Sequence, residues 1–125
     1  MGLISKQIEV IGDKQKIKAQ ALFDTGASAS FIRKDLADQI ATVVRMPSPW
    51  IFILGDGKGK VQAEHCLHVD IIIKGVKIFH QLIAVKDLGE EIIIGADILQ
   101  RWKIKLDPEK EDILIDKKVT ELKLM

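Results

Sequence analysis

Asp24 is the side chain whose neighbours best fit it for chemistry. It follows an apolar, alternating run through Ile17, Ala19, Ala21 and Phe23 and precedes the turn pair Thr25-Gly26. A strand that ends in a glycine turn holds its last carboxylate on backbone. A carboxylate held in that way can accept a proton from water or return one to a reacting group. The plainer reading is an aspartate that bonds only its own turn, as turn aspartates commonly do. Two other clusters compete. Glu64, His65, Cys66, His68 and Asp70 look like metal ligands, but strand alternation puts His65 on the opposite face from Cys66 and His68, and a closed zinc site needs four well-placed donors. A solvated strand face is the better account, with no metal. Gly55-Asp56-Gly57-Lys58-Gly59-Lys60 suggests a phosphate loop, but Val61 stands where Ser or Thr is needed and no helical pattern follows.

The elements around Asp24 follow from periodicity. Ile8 and Val10 alternate with polar residues, Gly12-Asp13 turns the chain, and residues 17–23 return as a second strand. Ile32, Leu36 and Ile40 recur at helical spacing, which predicts a short amphipathic helix ending before Pro47. Met46-Pro47-Ser48-Pro49 reads as an extended connector. Trp50 to Leu54, the glycine tip Gly55 to Gly59, and a strand from Lys60 make a hairpin. Val61 to Ile73 alternates over a long span, with Ala63, His65, Leu67, Val69 and Ile71 on one face and Cys66 on the other. Lys74-Gly75 and Asp87 to Glu90 are turns around another strand. Glu91 to Ile94 enters Gly95 and an apolar helix in which Trp102 is a core residue, and residues 103–115 form a last hairpin.

A chain of 125 residues with 47% hydrophobic content is long enough for one self-sufficient core. Its net charge of +1, with Lys and Arg scattered, gives no stripe for a phosphate backbone, so nucleic acid is not an expected partner. Cys66 stands alone and can form no intrachain disulfide, which suits a reducing, cytoplasmic setting. Every apolar stretch is interrupted well short of the roughly 20 residues that span a bilayer, and no membrane association is expected. One domain over residues 1–125 is expected, with its core at about 8–115 and a tail at 116–125 whose pattern fits an interface strand or a short helix equally.

Phe23-Asp24-Thr25-Gly26-Ala27-Ser28 resembles the active-site loop of the retropepsin-like aspartic proteases. Ile93-Ile94-Gly95-Ala96-Asp97-Ile98-Leu99 is similar to that family's second signature, in the same order along the chain. The resemblance implies an all-β fold: a retropepsin-like closed β-barrel, the acid protease fold, with short helices after each glycine signature, forming one half of a C2 dimer. It implies catalysis by Asp24, Thr25 and Gly26, with Thr25 bonding across the dimer axis and Gly26 permitting close backbone approach. Substrate would touch Ala27 and Ser28 and the flap residues Leu54, Gly55, Asp56, Gly57, Lys58 and Gly59, with no metal or cofactor.

Laying Gly26 over Gly95 shows a weak internal repeat in which Ile93 stands where Asp24 stood. One chain therefore carries one acid, and this chemistry needs two. A homodimer supplies the second, because an isologous interface brings identical residues together on its axis. The expectation is a homodimeric aspartic endopeptidase acting on peptides or proteins. The alternative is a noncatalytic module of the same fold that dimerises or holds an extended peptide by strand addition. Related viral proteins often carry an acid and an Arg where this chain has Ser28 and Ala96, so that ion pair is missing and the dimer must rest on other contacts.

Overall fold

The computed structural model describes residues 3–53 and 59–118. Strands β1 (Leu3–Ile11), β2 (Lys16–Asp24) and β3 (Phe31–Arg33) lead to helix α1 (Lys34–Ile40). Strands β4 (Val44–Ile53), β5 (Lys60–Ile73), β6 (Val76–Val85) and β7 (Ile92–Ile94) precede helix α2 (Ala96–Arg101), and β8 (Lys105–Asp107) pairs with β9 (Asp112–Leu114). The main sheet runs β1-β2-β7-β3-β6-β5-β4, and a further β1–β5 pairing closes six of its strands into a ring. Strand β4 lies outside that ring and, among the described strands, is bonded to β5 alone. Among the described residues no helix is long and apolar enough to cross a membrane.

The alternation seen in the sequence is what fills the ring. Ile8 and Val10 from β1, Ala19, Ala21 and Phe23 from β2, and Leu67, Val69 and Ile71 from β5 are buried in one cluster with Ile40 of α1 and Ile98 of α2. Their polar alternates face outward. The ring is closed by Glu9, Val10 and Ile11 pairing with Ile72, Ile71 and Asp70, contacts some 60 residues apart in sequence. The β5–β6 hairpin turns at Lys74 (φ 49°) and Gly75 (φ 79°), the two left-handed residues that suit the twist of a tight hairpin.

A second, smaller cluster lies beneath the end of β2. It gathers Ala27, Phe31, Ala63, Cys66, Ile83, Val85, Leu88 and Ile93, with Phe52 of β4 packed against it. Phe31 and Phe52 meet edge to face, with centroids 5.3 Å apart. Cys66 is buried here, which departs from the wet face expected for it. The physical reason is that the far end of β5 is covered on both faces, so alternation no longer separates core from solvent.

Two further elements differ from expectation. Ile32 belongs to strand β3, and α1 begins only at Lys34. Gly26 therefore leads through a loop and a strand before any helix, and only Gly95 enters a helix directly. Met46 to Pro49 lie inside β4 rather than in a connector, but they form an irregularity where the β5 register shifts between Arg45 and Trp50. Proline lacks the N–H a ladder needs, so this edge strand bulges there. Trp102 is buried, as its spacing suggested. Of the expected glycine tip at Gly55 to Gly59 all but Gly59, and of the expected tail at 116–125 all but residues 116–118, lie outside the described residues.

Candidate active site

Asp24 is the last residue of β2. Parallel pairing of Leu22 with Ile93 and Phe23 with Ile94 ties β2 to β7, and continuing that register brings Asp24 level with Gly95. The two glycine signatures are therefore neighbours in space. Asp24 is half-buried, and its Oδ1 accepts the Gly26 N–H at 2.8 Å. That bond is the turn-aspartate interaction of the plainer reading, yet it also fixes the carboxylate's direction and leaves Oδ2 without a donor among the described residues. Thr25, Gly26 and Ser28 are exposed. Ala27 is buried, its N–H bonded to the Asp24 carbonyl at 3.2 Å and its carbonyl accepting the Ala96 N–H at 2.7 Å.

The far end of the loop is anchored by a residue the sequence reading did not select. Ser30 is fully buried; its Oγ accepts the Gly95 N–H at 2.8 Å and donates to Asp97 Oδ1 at 2.6 Å. Asp97 Oδ1 also takes the Ile98 N–H at 2.8 Å. The Ser30 carbonyl receives the Ile83 N–H at 2.9 Å. Nothing local marks this network, since its partners are 65 and 67 residues apart. The one available signal was a hydroxyl flanked by Ala29, Phe31 and Ile32, where an apolar residue would be expected.

Gly95 explains how closely the signatures approach. A Cβ there would fall on the Ala29 carbonyl oxygen and within 2.7 Å of the Ala27 carbonyl oxygen. A groove of about 580 Å³ opens on the other side of the loop, walled by Thr25, Ala96, Leu99, Gln100, Ile104 and Leu106. Of the flap residues only Gly59 is described, and it is half-buried; Leu54 to Lys58 lie outside the described residues. Among the described residues no group of three or more His, Cys, Asp or Glu could hold a metal. His68 instead stacks on Phe79, with centroids 5.9 Å apart, while Cys66 points into the core.

The chain matches the family described as retroviral aspartyl protease over residues 8–121. It belongs to that family. The match takes in both signatures, the ring from Ile8 of β1 onward and the β8–β9 hairpin. Among solved structures, the retroviral protease-like domain of Ddi1 from Leishmania major is similar at 19% identity and a TM-score of 0.67, covering 93% of this chain and 90% of that one. The EIAV protease, solved with the inhibitor HBY-793, is similar at 22% identity and a TM-score of 0.61, covering 82% and 90%. At these identities the likeness carries the fold. No curated protein sequence matches the chain.

Proposed function

We propose that the protein is a homodimeric aspartic endopeptidase in which Asp24 of each of two copies shares one catalytic water. The observation that carries this is the state of Asp24 in the single chain: anchored through Oδ1, with no donor on Oδ2 among the described residues, at the end of a strand paired beside the second signature. In the second signature, Ile93, which the internal repeat sets over Asp24, and Ile94 are both buried and carry no acid, and the signature's one acid, Asp97, is engaged by Ser30 and the Ile98 N–H. The exposed Thr25 and Gly26, with the groove of mixed polarity beside Thr25, give a second copy a surface to meet.

Two carboxyls placed together share a proton, because two like charges so close cannot both ionise without a large penalty. The ionised member takes a proton from water as the water oxygen bonds to the scissile carbonyl carbon. The protonated member hydrogen-bonds the carbonyl oxygen as charge develops there. Collapse of the tetrahedral intermediate breaks the C–N bond, and the leaving amine receives the proton. Substrate would lie extended between the loop and residues 54–59, pairing main chain with main chain. Thr25 would bond across the dimer axis. The single cysteine favours the cytoplasm as the working compartment.

The test is cleavage of a mixed peptide library from about pH 3 to about pH 8 by wild type and by Asp24→Asn, with each mass measured in solution. Asparagine keeps the shape and removes the acid. Wild type should be dimeric and cut internal bonds, and Asp24→Asn should stay dimeric and lose about a thousandfold in rate or more. A wild type that binds peptide but never cuts it would replace this reading with the noncatalytic module.

A further inference from the structure

Ser30 is the one polar residue fully buried among the described residues, and a hydroxyl contributes nothing to packing that a methyl would not. Both of its hydrogen-bonding roles are used, and both cross to the second signature: it accepts from Gly95 N–H and donates to Asp97. Asp97 is itself held on the first turn of α2 by the Ile98 N–H. The loop that carries Asp24 is thus fastened at three points. Its start is paired to β7, its middle is bonded through the Ala27 carbonyl to Ala96, and its end is fixed by Ser30.

We infer that Ser30 and Asp97 form a latch that positions the Asp24 loop, so that Ser30 and Asp97 are positioning residues for catalysis although neither touches substrate. The inference rests on the protease reading given above. It follows from what each bond restrains. Residues 25–29 lie in no helix or strand, and Thr25, Gly26 and Ser28 are exposed. Without the Ser30 hydroxyl, the loop would keep the Ala27–Ala96 bond and the Ile83 N–H on the residue-30 carbonyl but lose its hold on Gly95, the residue level with Asp24. A carboxylate that must meet its counterpart at hydrogen-bond distance tolerates little drift, since a misplacement of about 1 Å can cost about a hundredfold in rate.

Four variants in the full chain test this: Ser30→Ala, Asp97→Ala, Asp97→Asn and, as reference, Asp24→Asn. Asparagine at 97 retains an oxygen that can accept from both Ser30 and Ile98. Asp97 is only part-buried, so its variants guard against a Ser30 variant that fails to fold. Peptide cleavage by Ser30→Ala and Asp97→Ala should fall about tenfold to a hundredfold in kcat, with KM within about twofold and dimer mass unchanged. Asp97→Asn should stay within about threefold of wild type. Amide hydrogen exchange supplies a readout independent of activity: Gly26, Ala27 and Gly95 should exchange at least about tenfold faster in Ser30→Ala, while Val10 and Ile71 in the ring keep their protection. Equal loss of protection at Val10 and Ile71 would reduce Ser30 to a fold-stabilising residue and overturn the inference, as would full kcat in Asp97→Ala. If wild type cleaves nothing, the protease reading falls, and the exchange arm alone decides whether the latch holds the loop.

Discussion

At the scale of single residues, Gly95 matters as much as Asp24. Its backbone is extended, with φ −99° and ψ −171°, so an alanine there is not strained by its dihedrals. The obstacle is steric, because the added methyl meets the carbonyls of Ala27 and Ala29. Gly95→Ala should destabilise by about 3 kcal/mol, read as a lower urea midpoint, since overpacking against backbone cannot be relieved by a rotamer change. Gly89→Ala, where nothing lies within 4 Å of the added Cβ, should stay within about 0.5 kcal/mol of wild type. A comparable midpoint for the two variants would show that the loop can yield and that the close approach is dispensable. Asp24, Thr25 and Gly26 were legible in the sequence because they are contiguous and follow a clear period. Ser30 and Asp97 were not, because the bond joining them spans the chain and leaves no local trace.

At the scale of elements, the β1–β2 turn doubles as the stop of α1. Lys14 and Gln15 donate their N–H groups to the Ile40 carbonyl at 2.9 and 3.2 Å, and Asp13 accepts both the N–H and the hydroxyl of Thr42. These bonds satisfy a helix end that has no basic residue in its last turn. Asp13→Ala should therefore loosen α1 before the ring. The expected outcome is faster amide exchange over residues 37–42 with β5 amides unchanged, and uniform protection in the variant would count against the turn as a helix stop. The hairpins were legible because turn residues and period-2 alternation are local signals. The α1 boundary was not, because Ile32 fits either a helix face or a strand, and its pairing with Ile92 and Ala84 in β3 decides the matter.

At the scale of the whole molecule, the outer strands are bound by carboxylates as well as by ladders. Asp112 of β9 accepts from Lys74 of the β5–β6 turn at 2.8 Å and from the Ile113 N–H at 2.8 Å, and pairs with Lys6 of β1 at 3.6 Å, which together lower its pKa to about 2. The Asp13 carboxyl is also lowered, chiefly by the Thr42 hydroxyl, and that of Asp35 by Arg33. A carboxylate with a depressed folded-state pKa stabilises fully above its unfolded pKa and ceases to do so as pH falls through the folded value. The urea midpoint should thus drop between about pH 4 and about pH 2, and Asp112→Asn should make that drop shallower. Because these groups are exposed, added salt should blunt the Asp112 contribution, and a salt-independent midpoint would argue against it. Barrel closure was legible only through the two signature motifs and not through periodicity, since the β1–β5 pairing joins distant segments with no local motif of its own. That closure has one further consequence. With six strands completing the ring among themselves, β4 is held to the barrel by its β5 ladder and by Met46 and Phe52 on the smaller cluster, so its exposed residues can change without retuning the ring. Exchanging the exposed residues 47–51 for those of a relative should preserve the protection of Val10 and Ile71, which makes β4 the natural place to graft a new recognition edge onto an old scaffold.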